Sequence, residues 1–143
     1  MYKNLLVGAD SSATALRAVQ ASVELAQIFG AKLHIATAYK PESVKLPDLP
    51  DEFRYSANVH PADTLLAELK AMAKRADVPV EVHAATGEPA EAICRVATRI
   101  GADLVIVGNK GMRGARRVLG SVPNSIAHKA PCAVLIVDTT KAD

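Results

Sequence analysis

The strongest constraint on the fold of this chain is a regular alternation between short apolar runs and longer segments with apolar residues at helical spacing. The apolar runs are rich in Val, Ile and Leu, as buried strands are. The predicted strands are residues 4–9, 32–38, 80–84, 103–107 and 133–137. The predicted helices are a segment between Ser12 and Gly30, followed by 61–75, 89–100 and 121–129. This alternation predicts an α/β protein with a five-stranded parallel sheet and helices on both of its faces.

The same helical spacing predicts which side chains face the core. These are Leu16, Val19, Val23 and Ala26 in the first helix, Leu65, Leu66, Leu69 and Met72 in the second, and Ile93, Val96, Ala97 and Ile100 in the third. Ser11 or Ser12 suits the N-cap of the first helix, and Gly30 suits its C′ position. Residues 39–60 carry three prolines and no sustained periodicity, which predicts either a functional flap or a disordered insert.

Composition narrows the class of protein. The 143 residues fit a single domain, and only 3% of them are aromatic, so the core must be aliphatic. A net charge of +2 argues against a dedicated nucleic-acid binder. No apolar run is long enough for a signal-peptide core or a membrane span, so the expected location is the cytoplasm, without a membrane partner. Cys94 and Cys132 lack metal or disulfide spacing and are predicted to be packing residues.

No catalytic constellation is visible, and no metal site is predicted. The histidines show no ligand spacing, and none pairs in sequence with a Ser or Cys nucleophile. We therefore predict surface or packing roles for all of them: His34, His60, His83 and His128.

A glycine- and arginine-rich loop between the fourth strand and the last helix is the main candidate for chemistry. Residues 108–122 hold four glycines, together with the cations Lys110, Arg113, Arg116 and Arg117. Glycines let backbone N–H groups approach a ligand, and a helix N-terminus favours anions. The loop matches neither the Walker pattern nor Gly-x-Gly-x-x-Gly. Its context predicts phosphate binding, with a solvated surface turn as the alternative.

A second polar loop, Asp10-Ser11-Ser12, follows the first strand. Ligands of parallel α/β sheets bind beyond the carboxyl ends of the strands, where the strand order reverses. If the first and fourth strands are neighbours, the two loops face each other across such a crevice.

With both loops considered together, the chain resembles the universal stress protein family over essentially its whole length. Gly8, Asp10 and Ser12 match a Gly-x-Asp-x-Ser pattern after the first strand. The ATP-binding branch carries Gly-x2-Gly-x9-Gly-[Ser/Thr], which Gly108, Gly111, Gly120 and Ser121 match except that one loop residue is missing. The resemblance implies the Rossmann-like fold of the adenine nucleotide alpha hydrolases, with the strand order 3-2-1-4-5.

The resemblance also implies a nucleotide site. Ala9 and Asp10 would meet the ribose and adenine, the Ala38 backbone would read the adenine edge, and Val107 and Gly108 would lie against the ribose. The phosphates would be held by Gly111, Gly120, Ser121 and Val122, although Ser121 also reads as a plain N-cap. We predict further contacts from Ser11, Asn109 and Lys110. Bidentate phosphate contacts are expected from among Arg113, Arg116 and Arg117, at least one of which faces water instead. The resemblance implies ATP as the ligand. AMP and cyclic AMP are the alternatives, and Mg²⁺ could accompany the nucleotide.

These features predict an adenine-nucleotide-binding stress-response protein that acts as a nucleotide-sensing switch or binding module, with at most weak ATPase activity. The alternative is a universal stress protein that binds no nucleotide and serves as a dimeric interaction module. A flavodoxin-like carrier is disfavoured because no aromatic residues are positioned to flank a flavin. A receiver domain is disfavoured because Ala84, Ala85 and Thr86 stand where an Asp would be required.

Two assembly and switching properties are expected as well. Strand 133–137 would form an exposed apolar sheet edge, which predicts a homodimer through that strand. Bound nucleotide is expected to order segments 39–60 and 109–117 and so bias the surface shown to an unidentified protein partner.

Overall fold

The computed structural model describes residues 1–10, 13–39, 61–109 and 119–139, with the side chain of Pro61 left out. The strands are β1 (Asn4–Gly8), β2 (Lys32–Tyr39), β3 (Val80–Thr86), β4 (Leu104–Gly108) and β5 (Ala133–Val137). The helices are α1 (Ala13–Phe29), α2 (Pro61–Arg75), α3 (Pro89–Ile100) and α4 (Ser121–Lys129). All neighbouring strands are parallel, and their order is β3-β2-β1-β4-β5. The predicted fold class and strand order are confirmed.

The sheet separates two hydrophobic layers because alternate residues of a strand point to opposite faces. On β1, Leu5 and Val7 belong to the layer built with α1 and α2, whereas Leu6 belongs to the layer built with α3 and α4. All three side chains are fully buried. This arrangement explains why the central strands are continuous apolar runs rather than alternating ones.

The buried face of α1 differs from the prediction at Leu16, whose side chain is 42% exposed. The buried residues of this helix are Ala18, Val19, Ser22, Val23 and Ala26. Ser22 can take a core position because its hydroxyl donates to the carbonyl of Ala18 at 2.7 Å. In the other helices the predicted core side chains are buried or partly buried.

Several predicted element ends shift by one or two residues. The predicted bounds of β5 and α4 are confirmed, but β1 stops at Gly8, and β3 continues to Thr86 because its last residues pair with the end of β2. Gly30 and Gly101 have φ angles of +62° and +66°, the left-handed conformation that ends a helix and favours glycine.

In the part of the chain that the structure describes, no helix combines the length and apolar character needed to cross a membrane.

Candidate functional site: a crevice at the strand-order reversal

A cavity of about 410 Å³ lies where the strand order reverses, at the carboxyl ends of β1 and β4. Its size falls within the usual range of small-molecule sites. We call this cavity the crevice. Its lining is Gly8, Ala9, Asp10, Thr14, Ala15, Ala38, Pro89, Ile93, Val107, Gly108, Gly120, Ser121, Val122, Pro123 and Ile126.

Close packing around the crevice accounts for two of its glycines. A Cβ added at Gly8 would lie 3.3 Å from the Ile93 side chain, and one at Gly108 would lie 3.3 Å from the Thr139 methyl group. Both distances are tighter than ordinary contacts. The lack of a side chain at these positions therefore lets α3 and the chain after β5 pack closely against the strand ends.

The end of β2 presents backbone polar groups toward the crevice. The last register pair between β1 and β2 joins Gly8 to Ala36, and the Ala9 amide then donates to the Ala36 carbonyl at 2.9 Å. Backbone groups two residues apart in a strand point to the same side, so the N–H and C=O of Ala38 also point toward β1 rather than β3. Because β1 has ended at that level, this donor and acceptor face the space that Ala38 lines.

The N-terminus of α4 forms the opposite wall. Gly120 is its N-cap residue, and no side chain caps the helix. Ser121 is therefore the first helical residue rather than a plain N-cap. The amides of Ser121 and Val122 have no carbonyl partner within the helix, while Pro123 carries no N–H. The first intrahelical bond runs from the Asn124 amide to the Gly120 carbonyl at 3.0 Å.

Most of the predicted nucleotide-site residues lie together around the crevice. These are Ala9, Asp10, Ala38, Val107, Gly108, Gly120, Ser121 and Val122. Other predicted site or loop residues lie outside the described part of the chain, namely Ser11, Ser12, Lys110, Gly111, Arg113, Arg116 and Arg117. The same holds for His60 and for nearly all of the segments 39–60 and 109–117 that were expected to respond to nucleotide.

Asn109 does not line the crevice, although it was predicted to contact the ligand. Its side chain is 2% exposed, and its Oδ1 accepts from the amide of Thr139 at 2.9 Å and from the Thr139 hydroxyl at 3.0 Å. Its Nδ2 donates to Asp138 at 3.1 Å. The Thr139 carbonyl in turn accepts from Arg17 at 2.7 Å. The Asn109 side chain thus fastens the end of β4 to the chain after β5 and to α1.

Residues from three helices complete the lining and were not predicted as site residues. Thr14 and Ala15 belong to the first turn of α1, Pro89 and Ile93 to the start of α3, and Pro123 and Ile126 to α4. The sequence places Ile93 on an inward helical stripe, but helical periodicity does not tell a core position from a cavity wall.

A second group of polar side chains lies away from the crevice, on β2 and β3. His34 Nδ1 lies 2.9 Å from His83 Nε2, and the Glu81 carboxylate lies 4.0 Å from His34 Nδ1. The sequence shows no ligand spacing for the histidines, and surface or packing roles for them remain a prediction. Strand register brings the two rings together across 49 positions of sequence, which spacing along the chain does not reveal.

Two cations border this group. Lys32 donates to Glu81 at 2.9 Å, and Arg99 lies 3.2 Å from His83 Nδ1. Burial lowers the pKa of His34, and the neighbouring His83 and Lys32 lower it further, while Glu81 raises it. Burial likewise lowers the pKa of His83, with Glu81 opposing and Arg99 adding to the effect. For both rings the lowered pKa favours the neutral imidazole.

The two cysteines behave as predicted. Cys94 and Cys132 are free thiols that pack, partly buried, against the α3 and α4 layer. Burial raises the pKa of both thiols, which makes them less reactive than exposed ones.

Comparisons with known proteins agree with this architecture. Residues 1–138 match the model of the Universal stress protein family. A universal stress protein of Mycobacterium tuberculosis is 38% identical over 144 residues, which cover 97% of this chain and 98% of that relative. A universal stress protein crystallised in complex with cAMP shares 35% identity at a TM-score of 0.73, over 97% of this chain and 98% of that one.

A more distant structure shows the fold alone. It is a universal stress protein family protein from Arabidopsis thaliana with AMP bound, 21% identical at a TM-score of 0.73, over 95% of this chain and 91% of that one.

Sheet order and crevice together define a doubly wound α/β protein with a ligand-sized cavity at its reversal point. The chain belongs to the universal stress protein family.

Proposed function

We propose that this protein binds an adenine nucleotide in the crevice and acts as a nucleotide-sensing switch or binding module. The observation that carries the proposal is the position of two kinds of backbone group on opposite walls of one cavity. The donor and acceptor of Ala38 lie on one side, and the amides that begin α4 lie on the other. The relative crystallised with cAMP supports the same ligand class.

The adenine would lie at the β2 side of the crevice. Adenine presents an exocyclic amine that donates and ring nitrogens that accept. The Ala38 carbonyl and amide complement such an edge, and the apolar side chains of Val107 and Ile126 provide surface for the flat ring. Guanine carries a carbonyl oxygen where adenine carries its amine, so the Ala38 carbonyl would face an acceptor and disfavour it.

The ribose would lie beside Asp10, at the end of β1. Asp10 lines the crevice, and its side chain is exposed. A carboxylate accepts hydrogen bonds from sugar hydroxyls. AMP offers two ribose hydroxyls there, whereas cyclic AMP offers one, so Asp10→Asn should weaken AMP more than cyclic AMP.

The phosphate would lie at the N-terminus of α4. The amides of Ser121 and Val122 and the Ser121 hydroxyl supply three donors, and the helix dipole adds a favourable field for an anion. Three donors suit one phosphate group. Gly111 and Arg113 remain the predicted contacts for the further phosphates of ATP, with Mg²⁺ as the accompanying ion.

Binding is a better description than catalysis. Asp10 is the one titratable side chain among the described residues that line the crevice. An exposed carboxylate at the ribose position is poorly placed to activate water at a phosphate bound to α4.

Isothermal titration calorimetry of protein stripped of nucleotide tests the proposal. ATP, AMP and cyclic AMP are titrated separately, with GMP as the matched control. At least one adenine nucleotide should bind with one site per chain, and GMP should bind at least about tenfold more weakly. The absence of adenine-nucleotide binding in the millimolar range would favour the alternative, a dimeric interaction module that binds no nucleotide.

We also propose a homodimer formed through β5. This strand lies at an edge of the sheet, and its Leu135 and Ile136 side chains are each 37% exposed. An apolar edge strand offers unpaired backbone groups that a second copy can satisfy.

A further inference from the structure

His34, Glu81 and His83 place three metal-ligand atoms at the β3 edge of the sheet. His34 and Glu81 are register partners on adjacent strands, and His83 lies two residues beyond Glu81 on the same face. Their ligand atoms all lie within 4.8 Å of one another. We call these three residues the edge triad.

The geometry of the edge triad is close to that of a metal site. Zn²⁺ binds His nitrogen and carboxylate oxygen at about 2.0–2.2 Å, so neighbouring ligands of a tetrahedral site lie roughly 3.3 Å apart. The two His nitrogens are 2.9 Å apart, and Glu81 lies 4.0 Å from His34. A slight separation of the rings and a rotation of the exposed carboxylate would bring all three to ligand distance.

The burial of the edge triad also suits a bound ion. His34 is 4% exposed and fixed within the sheet, His83 is half-buried, and Glu81 is exposed. Two positioned imidazoles with an exposed carboxylate leave a fourth position that solvent can fill. Three protein ligands plus water is a common coordination for Zn²⁺.

We propose that the edge triad binds one divalent transition-metal ion, with Zn²⁺ as the preferred ion, and that the ion cross-links β2 to the edge strand β3. Imidazole and carboxylate together favour Zn²⁺, Co²⁺ or Ni²⁺ over Mg²⁺ and Ca²⁺, which prefer oxygen ligands alone. The proposal is independent of nucleotide binding, because none of the three residues lines the crevice.

Two cations interact with the edge triad and would compete with the metal ion. The proposal therefore predicts the direction in which metal affinity changes when either cation is removed. Lys32 donates to the Glu81 oxygen that would ligate. Arg99 can only donate, so His83 Nδ1 accepts. In the neutral form of this ring the proton then lies on Nε2, the atom that would bind metal. Metal binding moves that proton to Nδ1 and displaces Arg99. Removing either cation should therefore tighten binding.

Calorimetry with ZnCl₂ tests the proposal on untagged, EDTA-treated protein without nucleotide. Cys94→Ser and Cys132→Ser are introduced throughout to remove the thiols as ligands. One equivalent of Zn²⁺ should bind, and His83→Gln and Glu81→Gln should each weaken it at least about tenfold. The matched controls His128→Gln and Glu68→Gln, both exposed and outside the edge triad, should bind as the parent does.

The competition is tested in the same background. Lys32→Gln and Arg99→Gln should each tighten Zn²⁺ binding about three- to tenfold, the size expected for removing one exposed charge pair or repulsion. Lys74→Gln on α2 should have no effect. Co²⁺ should give the intense visible absorption of a tetrahedral site, and His83→Gln should abolish it.

Any one of three results would overturn the proposal. They are the absence of saturable Zn²⁺ binding in the millimolar range, binding that His83→Gln or Glu81→Gln leaves unchanged, or weaker binding after Lys32→Gln. Circular dichroism on each variant separates loss of the ligand from loss of the fold.

Discussion

Substitutions at Ser121 can separate the contribution of its backbone amide to phosphate binding from that of its hydroxyl, while the helix is kept. As the first residue of α4, it follows Gly120, whose ψ of 160° is compatible with a following proline. Ser121→Ala should remove only the hydroxyl contact, whereas Ser121→Pro removes the amide as well and keeps the helix. A hydrogen bond to a charged group contributes about 1.5–3 kcal/mol, so each loss should weaken AMP about 10- to 100-fold.

Calorimetry measures both Ser121 variants, with thermal unfolding as the check on the fold. Affinity should fall in the order parent, Ser121→Ala, Ser121→Pro. Equal affinities for the alanine and proline variants would show that the Ser121 amide does not contact the phosphate.

Asn109 is predicted to act on stability rather than on the ligand. Asn109→Ala would leave the buried amide and hydroxyl of Thr139 without their acceptor. Leaving buried donors unsatisfied costs about 1–3 kcal/mol each, so the free energy of unfolding should fall by about 2 kcal/mol or more. Urea denaturation measures it, with the exposed Asn124→Ala as the control. Lower nucleotide affinity at unchanged stability would restore Asn109 to the ligand site.

At the scale of elements, the pairing of β2 with β3 should make stability depend on pH. Burial lowers the pKa of His34 and His83, with Lys32 and Arg99 acting in the same direction and Glu81 opposing. The unfolded chain then binds more protons than the folded one, and stability should fall as pH falls below about 6.5.

Urea denaturation in EDTA across this pH range measures the effect. His83→Gln should flatten the acid limb of the curve, and the exposed His128→Gln should leave it as it is. An identical slope in His83→Gln would show that the paired rings do not cause the dependence.

The exposed apolar edge strand β5 is where the two copies of the proposed homodimer should meet. Leu135→Lys should convert the proposed homodimer to monomer, because a charge on an edge strand opposes pairing with another strand. Sedimentation velocity at micromolar concentration measures the change. Ile28→Lys, at the end of α1 with a 75% exposed side chain, is the matched control and should stay dimeric. A monomeric parent protein would contradict the dimer.

Helix and strand positions depend on local interactions, whereas the features that the sequence did not predict depend on contacts between distant parts of the chain. Apolar periodicity and flanking glycines are local, and they predicted every helix and strand that the structure describes. The two-residue extension of β3 depends on pairing with β2, and the His34–His83 contact depends on strand register. The role of Asn109 depends on Thr139, 30 residues away. None of these long-range pairings has a local signal in one sequence.

For the whole molecule, the resemblance to the family predicted the strand order, and the structure brings eight of the predicted site residues around one crevice. The walls contributed by α1 and α3 were missed because their residues read as ordinary helix positions. The crevice joins both halves of the sheet, so a ligand there would contact elements from β1 to α4 at once. Binding should therefore raise the stability of the whole domain rather than of one loop.

An amide-resolved NMR titration with AMP tests whether an adenine nucleotide binds between the two walls of the crevice. Two separate groups of amides should shift together, with one affinity: Ala38 on one wall, and Ser121 and Val122 on the other. The amides of the edge triad should stay unchanged. Shifts confined to one wall, or saturation with Ala38, Ser121 and Val122 unmoved, would contradict the assignment of this crevice to an adenine nucleotide.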